Sequence, residues 1–209
     1  MQKLFFLLSV VLITTASLAQ SFEGKIIYSN TYQSKQASTS NLQFTELIGN
    51  EFEYYFKGAD YKTISNGTLF QWQLYSTSDN KVYSKMTSSE AAFWNDASIN
   101  PDTVYASVVH PRTMEVLGYM CDELVLTCKT GVQKYYYSSK LSTDPRLFEK
   151  HLFGNWYDFV KVSKAIPLKM IIESHLFIME SIAIKVEPMK MDAALFALPA
   201  GLRTEKSPF

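Results

Sequence analysis

Apolar and polar residues alternate along most of this chain, and the alternation predicts β-strands that are buried on one face. In the segment Phe22–Gln33, the residues Phe22, Ile26, Tyr28 and Tyr32 fall on one side, and mainly polar residues fall on the other. Further short segments, separated by residues typical of turns, lie at 42–48, 51–57, 60–65, 68–76, 81–86 and, on either side of Pro111, at 104–109 and 113–117. This regular spacing predicts an antiparallel meander.

Two connections in this half of the chain differ in kind. Asn66-Gly67 predicts a tight type I′ hairpin turn, because both residue types tolerate positive φ. Residues 87–103 are rich in Ser, Asn and Asp but contain Phe93 and Trp94. We interpret these two aromatic residues as anchors that hold a long loop against the core. A flap that closes over a pocket is the alternative.

The segment Val116–Leu141 predicts two strands joined by a tight turn at Lys129–Gly131, and it holds both cysteines and the aromatic run Tyr135–Tyr137. If Cys121 and Cys128 share one strand, they fall on opposite faces and lie about 23 Å apart at ~3.3 Å per residue. A disulfide needs Cα atoms within roughly 7 Å of each other. We therefore expect two free thiols rather than a disulfide, at least one of them packed as a small apolar side chain.

Helical spacing replaces the strand pattern after this hairpin. Thr143-Asp144-Pro145 predicts a helix N-cap that is followed by proline in the first turn. Phe148 and Leu152 then lie on one side at helical spacing, and Gly154-Asn155 predicts a C-cap. A second helical turn is expected over residues 156–162.

The last two predicted strands, 168–173 and 176–187, flank Ser174-His175. If that pair forms a two-residue turn, Lys169 lies opposite Glu180, which interrupts an otherwise aliphatic row. We favour a cross-strand ion pair, which contributes at most about 1 kcal/mol when it is exposed. The alternative is that Glu180 is a polar group at the mouth of an apolar cavity.

The N-terminus has the pattern of an export signal, with Lys3, the apolar run Leu4–Ile13 and the small residues of Ser17-Leu18-Ala19. It predicts a signal peptide over residues 1–19 and a single domain over 20–209. No later segment is long and apolar enough to predict an integral membrane helix. We expect an exported, soluble protein of the periplasm, with the extracellular space as the alternative.

Charge and motifs narrow the range of functions. The chain has 20 basic and 20 acidic residues, and removal of Lys3 leaves a charge of about −1, so we expect no nucleic-acid partner. His110, His151 and His175 are far apart, and metal-ligand spacings, a phosphate loop and a nucleophile elbow are all missing. We therefore predict no metal, no cofactor and no catalytic residue. A spatial pairing of His151 with Cys121 stays open, because catalytic groups need not be neighbours in sequence.

Four stretches, in their order along the chain, resemble exported bacterial proteins of unknown function related to the lipoprotein carrier LolA. They are FEGKIIYSN, GYMCDELVLTCKTGVQKYYYSSKL, PLKMIIES and MDAALFALPAGLR. The ending Asp192–Gly201 is the part most similar to the LolA-like group. A weaker similarity to the GLPGLI-type family rests on the G-Y-x-C pattern at Gly118–Cys121.

The resemblance implies a mainly β (α+β) fold over residues 20–209. Its expected form is a strongly curved antiparallel sheet, an unclosed β-barrel, with one or two short helices on the concave side. In LolA-like carriers this concavity holds acyl chains, and no catalytic residue is implied.

We therefore expect a binding or carrier protein for an apolar ligand, a lipid or an acyl chain, in the cell envelope. The expected cavity-lining residues are Phe70, Trp72, Leu74, Phe148, Leu152 and Trp156. Each of them taken singly is more simply explained as a core residue. The alternative is a structural or interaction protein of the envelope without a small ligand, and a hydrolytic enzyme is the least favoured interpretation.

Overall fold

All the strands that the structure describes belong to one large sheet. The structure is a computed structural model and describes residues 21–208, so the predicted signal peptide lies outside the described residues. The strands are β1 Gly24–Ser34, β2 Glu51–Lys57, β3 Asp60–Ser65, β4 Phe70–Ser76, β5 Lys81–Met86, β6 Ala92–Asp96, β7 Val104–Val116, β8 Tyr119–Cys128, β9 Val132–Ser142, β10 Ala165–Glu173, β11 Phe177–Pro188 and β12 Thr204–Lys206.

The strand order is β12-β6-β5-β4-β3-β2-β1-β11-β10-β9-β8-β7, so β12 and β7 are the two edges of an unclosed, curved sheet. Neighbouring strands are antiparallel, except that β12 runs parallel to β6. The α-helices are α1 Asn41–Ile48 and α2 Trp156–Ser163, and short 3-10 helices lie at Pro145–Phe148, Phe153–Asn155 and Ala193–Phe196. The expected fold class is thus confirmed, with the refinement that the sheet is mixed.

Residues 145–163, which we call the cover, lie across the concave side of this sheet. The ring of Trp156 is 5.4 Å from that of Tyr61 on β3, and the ring of Phe159 stacks 4.4 Å from Tyr135 on β9. The cover therefore joins the two walls of the curved sheet. Its first turn begins as predicted, since the side chain of Asp144 caps it by accepting from the amide of Arg146.

The prediction of a strand at Leu42–Ile48 is wrong, because this segment is helix α1. The Ser40 side chain accepts from the backbone amide of Gln43, and the Gln43 side chain accepts from the amide of Ser40. This capping box starts a helix where the apolar pattern alone is ambiguous. Phe44 is the buried residue of α1 and stacks on Tyr32 of β1.

The Asn66-Gly67 turn is also not the predicted two-residue hairpin. Strand β3 pairs with β4 so that Tyr61 faces Tyr75, which leaves residues 66–69 as a longer connection. This connection lies against the end of α1, where Thr68 donates its amide to the carbonyl of Glu46. Gly67 is required by this close approach, since a Cβ atom there would overlap the backbone of Ile48. The glycine thus serves helix packing rather than turn formation.

The connection 87–103 contains a strand that alternation did not reveal. Phe93 and Trp94 lie on β6, paired on one side with β5 and on the other with β12 near the C-terminus. The loop and flap interpretations are therefore both wrong for these residues. Strand β7 likewise runs through Pro111, where the pairing register with β8 shifts instead of breaking.

The β8–β9 hairpin has the predicted turn, and both cysteines in it are free and buried. Cys121 and Cys128 both belong to the main hydrophobic core. The register of β7 with β8 shifts between His110 and Met114, where the extra residues lie on β7. Both thiols are thus packed as small apolar side chains, as expected for at least one of them.

Candidate functional site

A cavity of about 210 Å³ lies between the cover and both walls of the sheet. We call it the concave cavity. Its lining is dominated by aromatic rings, methionines and amides, and it carries no charged side chain. The lining residues are Tyr54, Tyr61, Gln73, Gln133, Tyr135, Phe153, Gly154, Trp156, Met170, Ile172 and Met179.

Strand alternation and a sharp turn of the cover together produce this cavity. Met170 and Ile172 of β10 point to the same face as Met179 of β11, opposite the cover. In the cover, Gly154 and Asn155 both adopt left-handed backbone conformations, with φ of 65° and 63°. These two residues lie at the end of the 3-10 helix Phe153–Asn155 and turn the chain into α2, which starts at Trp156.

Of the six residues expected to line the cavity, Trp156 does so. Phe148, itself part of the cover, is fully buried, with its ring 6.2 Å from that of Trp156. Leu152 is only partly buried, and its amide donates to the carbonyl of Ala97. Phe148 and Leu152 thus support the cover rather than line the cavity.

The expectation that Phe70, Trp72 and Leu74 line the cavity together is wrong, because they do not share one face of β4. The register of β4 with β5 shifts between Phe70 and Trp72, so the residues on either side of the shift face opposite ways. Phe70 packs against the main core, whereas Trp72 and Leu74 pack in a second cluster with Phe196 of the C-terminal segment. A bulge of this kind leaves no mark in the apolar pattern.

Glu180 lies on the face opposite the concave cavity, so the cavity-mouth interpretation is wrong. It neighbours Met179, which lines the cavity, and successive residues of a strand point to opposite faces. Its carboxylate is 2.9 Å from the Lys169 ammonium, which confirms the ion pair. The register differs from the expected one, since Ile171 rather than Lys169 pairs directly with Glu180.

Sequence reasoning missed most of the lining, although a signal for it exists. Tyr54 lies in the alternating row of β2 between Phe52 and Phe56, and Tyr61 follows on the paired strand β3. Tyr135 comes from the aromatic run of β9. These strands contact one another or the cover only in the folded sheet, so strand order, rather than any single segment, brings them together.

His151 is a buried, neutral side chain that contacts Tyr61, one of the residues that line the cavity. Its Nε2 is 2.8 Å from the hydroxyl of Tyr61, and its ring lies 4.0 Å from that of Tyr75. Burial lowers the pKa of His151 to about 3, so the imidazole is uncharged at neutral pH. Within residues 21–208, neither Nδ1 of His151 nor Nε1 of Trp156 has a hydrogen-bond partner, and both atoms are buried.

A buried polar network holds the turn of the cover in place. The carboxylate of Asp102 accepts from the amide of Thr130 at 3.0 Å and from the side-chain amide of Asn155 at 3.0 Å. Asn155 also lies 3.3 Å from the sulfur of Cys128. Burial, reinforced by the nearby Asp102, raises the pKa of the Cys128 thiol to about 11. The thiol therefore stays protonated, which does not suit a nucleophile.

Residues 21–208 contain no cluster of three or more His, Cys, Asp or Glu side chains that could hold a metal ion. The same part of the chain also contains no helix with the length and apolar character needed to cross a membrane.

The fold and the site define a class of protein: a curved, unclosed β-sheet whose helical cover borders a small, uncharged aromatic cavity. No family model and no curated protein matches the chain. Among solved structures, it is similar to an uncharacterized conserved protein from Thermus thermophilus, at 8% identity and a TM-score of 0.42, covering 87% of this chain and 90% of that one.

A second similar structure is PNGF-II, at 10% identity and a TM-score of 0.49. The match covers 90% of this chain but only 32% of PNGF-II. At these values both similarities concern the course of the backbone, and no functional argument rests on either of them.

Proposed function

We propose that this protein is an exported binding or carrier protein that holds a small apolar ligand in the concave cavity. The observation that carries the proposal is the cavity itself, which lies where the curved sheet and the cover meet. Its rings and thioethers favour apolar and aromatic ligands, because both groups are polarisable and bury little polar surface. The resemblance to LolA-like carriers, described from the sequence, supports the same function.

The size of the cavity limits the ligand. A dry cavity of about 150 Å³ is enough to bind benzene, and the concave cavity has about 210 Å³. Sites for drug-sized molecules begin at about 300 Å³. A single-ring compound or the end of an acyl chain therefore fits, whereas a whole lipid is too large for the cavity.

The test uses α-methylstyrene, a single-ring hydrocarbon, as the probe. We expect it to bind the wild-type protein, and we expect Met170→Phe to weaken binding at least tenfold because the larger ring fills the cavity. Ile171→Phe is the matched control, since Ile171 neighbours Met170 on the opposite face of β10. Its affinity should equal that of the wild type. Calorimetric titration gives the three affinities.

Equal binding to all three proteins, or no binding to the wild type, would contradict the proposal. Met179→Phe fills the same cavity with a larger ring from β11. The test therefore still works if Met170→Phe folds poorly. Thermal unfolding of each variant checks that it is folded at the titration temperature.

A second candidate function is assembly through the edge strand β7, and it is favoured by the surface of that strand. Tyr105 is 68% exposed, Val108 51% and Val109 42%. Residues 104–110 contain no Lys, Arg, Asp or Glu. Exposed edge strands are ordinarily protected by charges or proline, as the short edge β12 is by Glu205 and Lys206. On β7 such residues occur only after this stretch, at Pro111, Arg112 and Glu115.

The geometry of β7 fits a second copy of the same chain as its partner. Regular pairing with β8 extends from Ala106 to His110, and the register shifts on both sides of this stretch. Val108 is its centre, so two antiparallel copies related by a two-fold axis would pair Val108 with Val108 and Ser107 with Val109. Such an isologous contact pairs the same surface of both copies and brings no like charges face to face.

A further inference from the structure

We infer that the ligand of the concave cavity is an apolar molecule with one hydroxyl group, an alcohol or a phenol, and that this hydroxyl donates a hydrogen bond to Oε1 of Gln73. The inference rests on the proposed function and specifies the class of ligand. Gln73 lines the cavity from β4 and is half-buried. A pocket that is otherwise apolar obtains its specificity from the few polar groups that reach its surface.

The side chain of Gln73 has one end engaged and one end open. Its amide nitrogen donates to the hydroxyl of Ser84 at 3.2 Å. Within residues 21–208, Oε1 accepts no hydrogen bond, and it is not among the buried polar atoms that lack a partner. An atom that has neither a partner nor complete burial has accessible surface. Oε1 of Gln73 is therefore a free acceptor on the wall of the cavity.

The residues that pair with Gln73 in the sheet do not occupy this acceptor. Thr63 is its direct partner on β3, and the hydroxyl of Thr63 has no hydrogen-bond partner in the described part of the chain. Ser84 is its direct partner on β5, and its hydroxyl accepts from the amide nitrogen of Gln73. Both neighbours thus leave Oε1 available to a molecule in the cavity.

Most other polar side chains of the lining already have partners. Gln133 donates to Asp102 at 3.4 Å and accepts from the hydroxyl of Tyr135 at 3.0 Å. The hydroxyl of Tyr61 is 2.8 Å from Nε2 of His151. These groups bond to the protein rather than to a ligand.

The polarity of the ligand follows from the open acceptor. Without a ligand, water bonds to Oε1, and an apolar ligand that displaces this water without replacing its hydrogen bond loses affinity. A hydroxyl on the ligand replaces it. The hydroxyl of Tyr54 both donates and accepts, so it adapts to either polarity, whereas the carbonyl oxygen of Gln73 only accepts. An ammonium donor is unfavourable, because the lining contains no acidic residue.

The experiment compares toluene, p-cresol and 4-methylanisole. p-Cresol adds a hydroxyl to toluene, whereas 4-methylanisole adds an ether oxygen that accepts but does not donate. Calorimetric titration gives the affinities of the wild type and of Gln73→Met. We expect the substitution to weaken p-cresol about threefold to tenfold more than toluene, which is the range of a single hydrogen bond. It should not change the ratio of 4-methylanisole to toluene. Comparing ratios cancels the different hydration of the probes.

Gln33→Met is the matched control, because Gln33 is exposed on the outer face of β1, next to the buried Tyr32. It should leave all three affinities unchanged. A second readout needs no substitution: the side-chain carbonyl ¹³C resonance of Gln73 should move downfield with p-cresol and not with toluene. This readout also tests the inference if Gln73→Met folds poorly.

The outcomes separate the inference from the proposed function. If the probes bind and Gln73→Met changes their affinities by one common factor, with no selective shift of the carbonyl resonance, the ligand hydroxyl is wrong and the proposed function stands. A selective loss of 4-methylanisole would also overturn the inference, because the amide nitrogen would then face the cavity. If none of the probes binds the wild type, the proposed function is wrong, and the inference about the ligand falls with it.

Discussion

His151 shows what burial does to a single titratable side chain in this protein. It is 1% exposed, and its contacts are the rings of Tyr61, Tyr75 and Trp156 rather than charged groups. Desolvation disfavours the imidazolium, which lowers the pKa of His151 from 6.5 to about 3. The unfolded chain therefore takes up this proton at a higher pH than the folded protein does.

Because the pKa of His151 is lower in the folded protein than in the unfolded chain, the free energy of unfolding decreases as the pH falls. The contribution of His151 to stability is fully present above pH 6.5 and is lost progressively as the pH falls toward the folded pKa of about 3. We expect the free energy of unfolding to drop by about 2 kcal/mol between pH 7 and pH 5 from this group. Urea unfolding of the wild type and of His151→Gln measures the drop, which should be absent from the variant. Parallel pH profiles would refute this role of His151.

The interval from pH 7 to pH 5 is chosen because the carboxylates respond at lower pH. Hydrogen bonds and nearby cations lower the pKa of Glu23 to about 2, and hydrogen bonds lower the pKa values of Asp96 and Asp144. These groups contribute stability above their unfolded pKa values of about 4 and lose it as the pH falls further. Their effect is therefore separable from that of His151.

Single residues were predictable from the sequence where a regular pattern governs them. Helical spacing placed Trp156 in the cover. Lys169 was predicted as the partner of Glu180 from a register that is wrong, and the ion pair nevertheless forms at 2.9 Å because the two residues are diagonal neighbours on paired strands. Trp72 was assigned to the wrong face because a one-residue register shift in β4 reverses its side chain. Such a shift depends on the pairing with β5, which the sequence of β4 alone does not specify.

At the scale of elements, the sequence predicted hairpin strands well and long-range pairings poorly. The segments β2, β3 and β5 have the predicted bounds, because each has a complete alternation and a turn beside it. Helix α1 and strand β6 were missed for different reasons. The capping box of α1 is a local signal that outweighs an ambiguous apolar pattern, whereas β6 depends on the distant β12 for one of its partners.

The prediction for a single element concerns dimerisation through the edge strand β7. We expect the wild-type protein to form a dimer as its concentration rises, and Val108→Lys to remain a monomer, because two ammonium groups would meet at the two-fold axis. Ile184→Lys, at a 50% exposed position in the middle of the sheet, is the matched control and should dimerise like the wild type. Sedimentation velocity distinguishes the species. A monomeric wild type at all concentrations, or a dimer of the Val108→Lys protein, would rule out this contact.

At the scale of the whole molecule, the fold class was predictable through a resemblance in the order of motifs. The curved, unclosed sheet and its cover match that expectation. The sequence predicted a cavity on the concave side but not most of its lining. The lining strands are β2, β3, β4, β9, β10 and β11, and they come together only in the folded sheet. Its small volume follows from large cover side chains such as Phe148 and Phe159, which are fully buried in the concavity.

The most direct test of ligand binding in the concave cavity is a crystal structure of the protein equilibrated with α-methylstyrene vapour. We expect density for one ring between the cover and the sheet, in contact with Tyr54, Trp156 and Met179, and an unchanged course of β10. A ring found only elsewhere on the molecule, with the side chains of the cavity packed against one another, would contradict the proposed function.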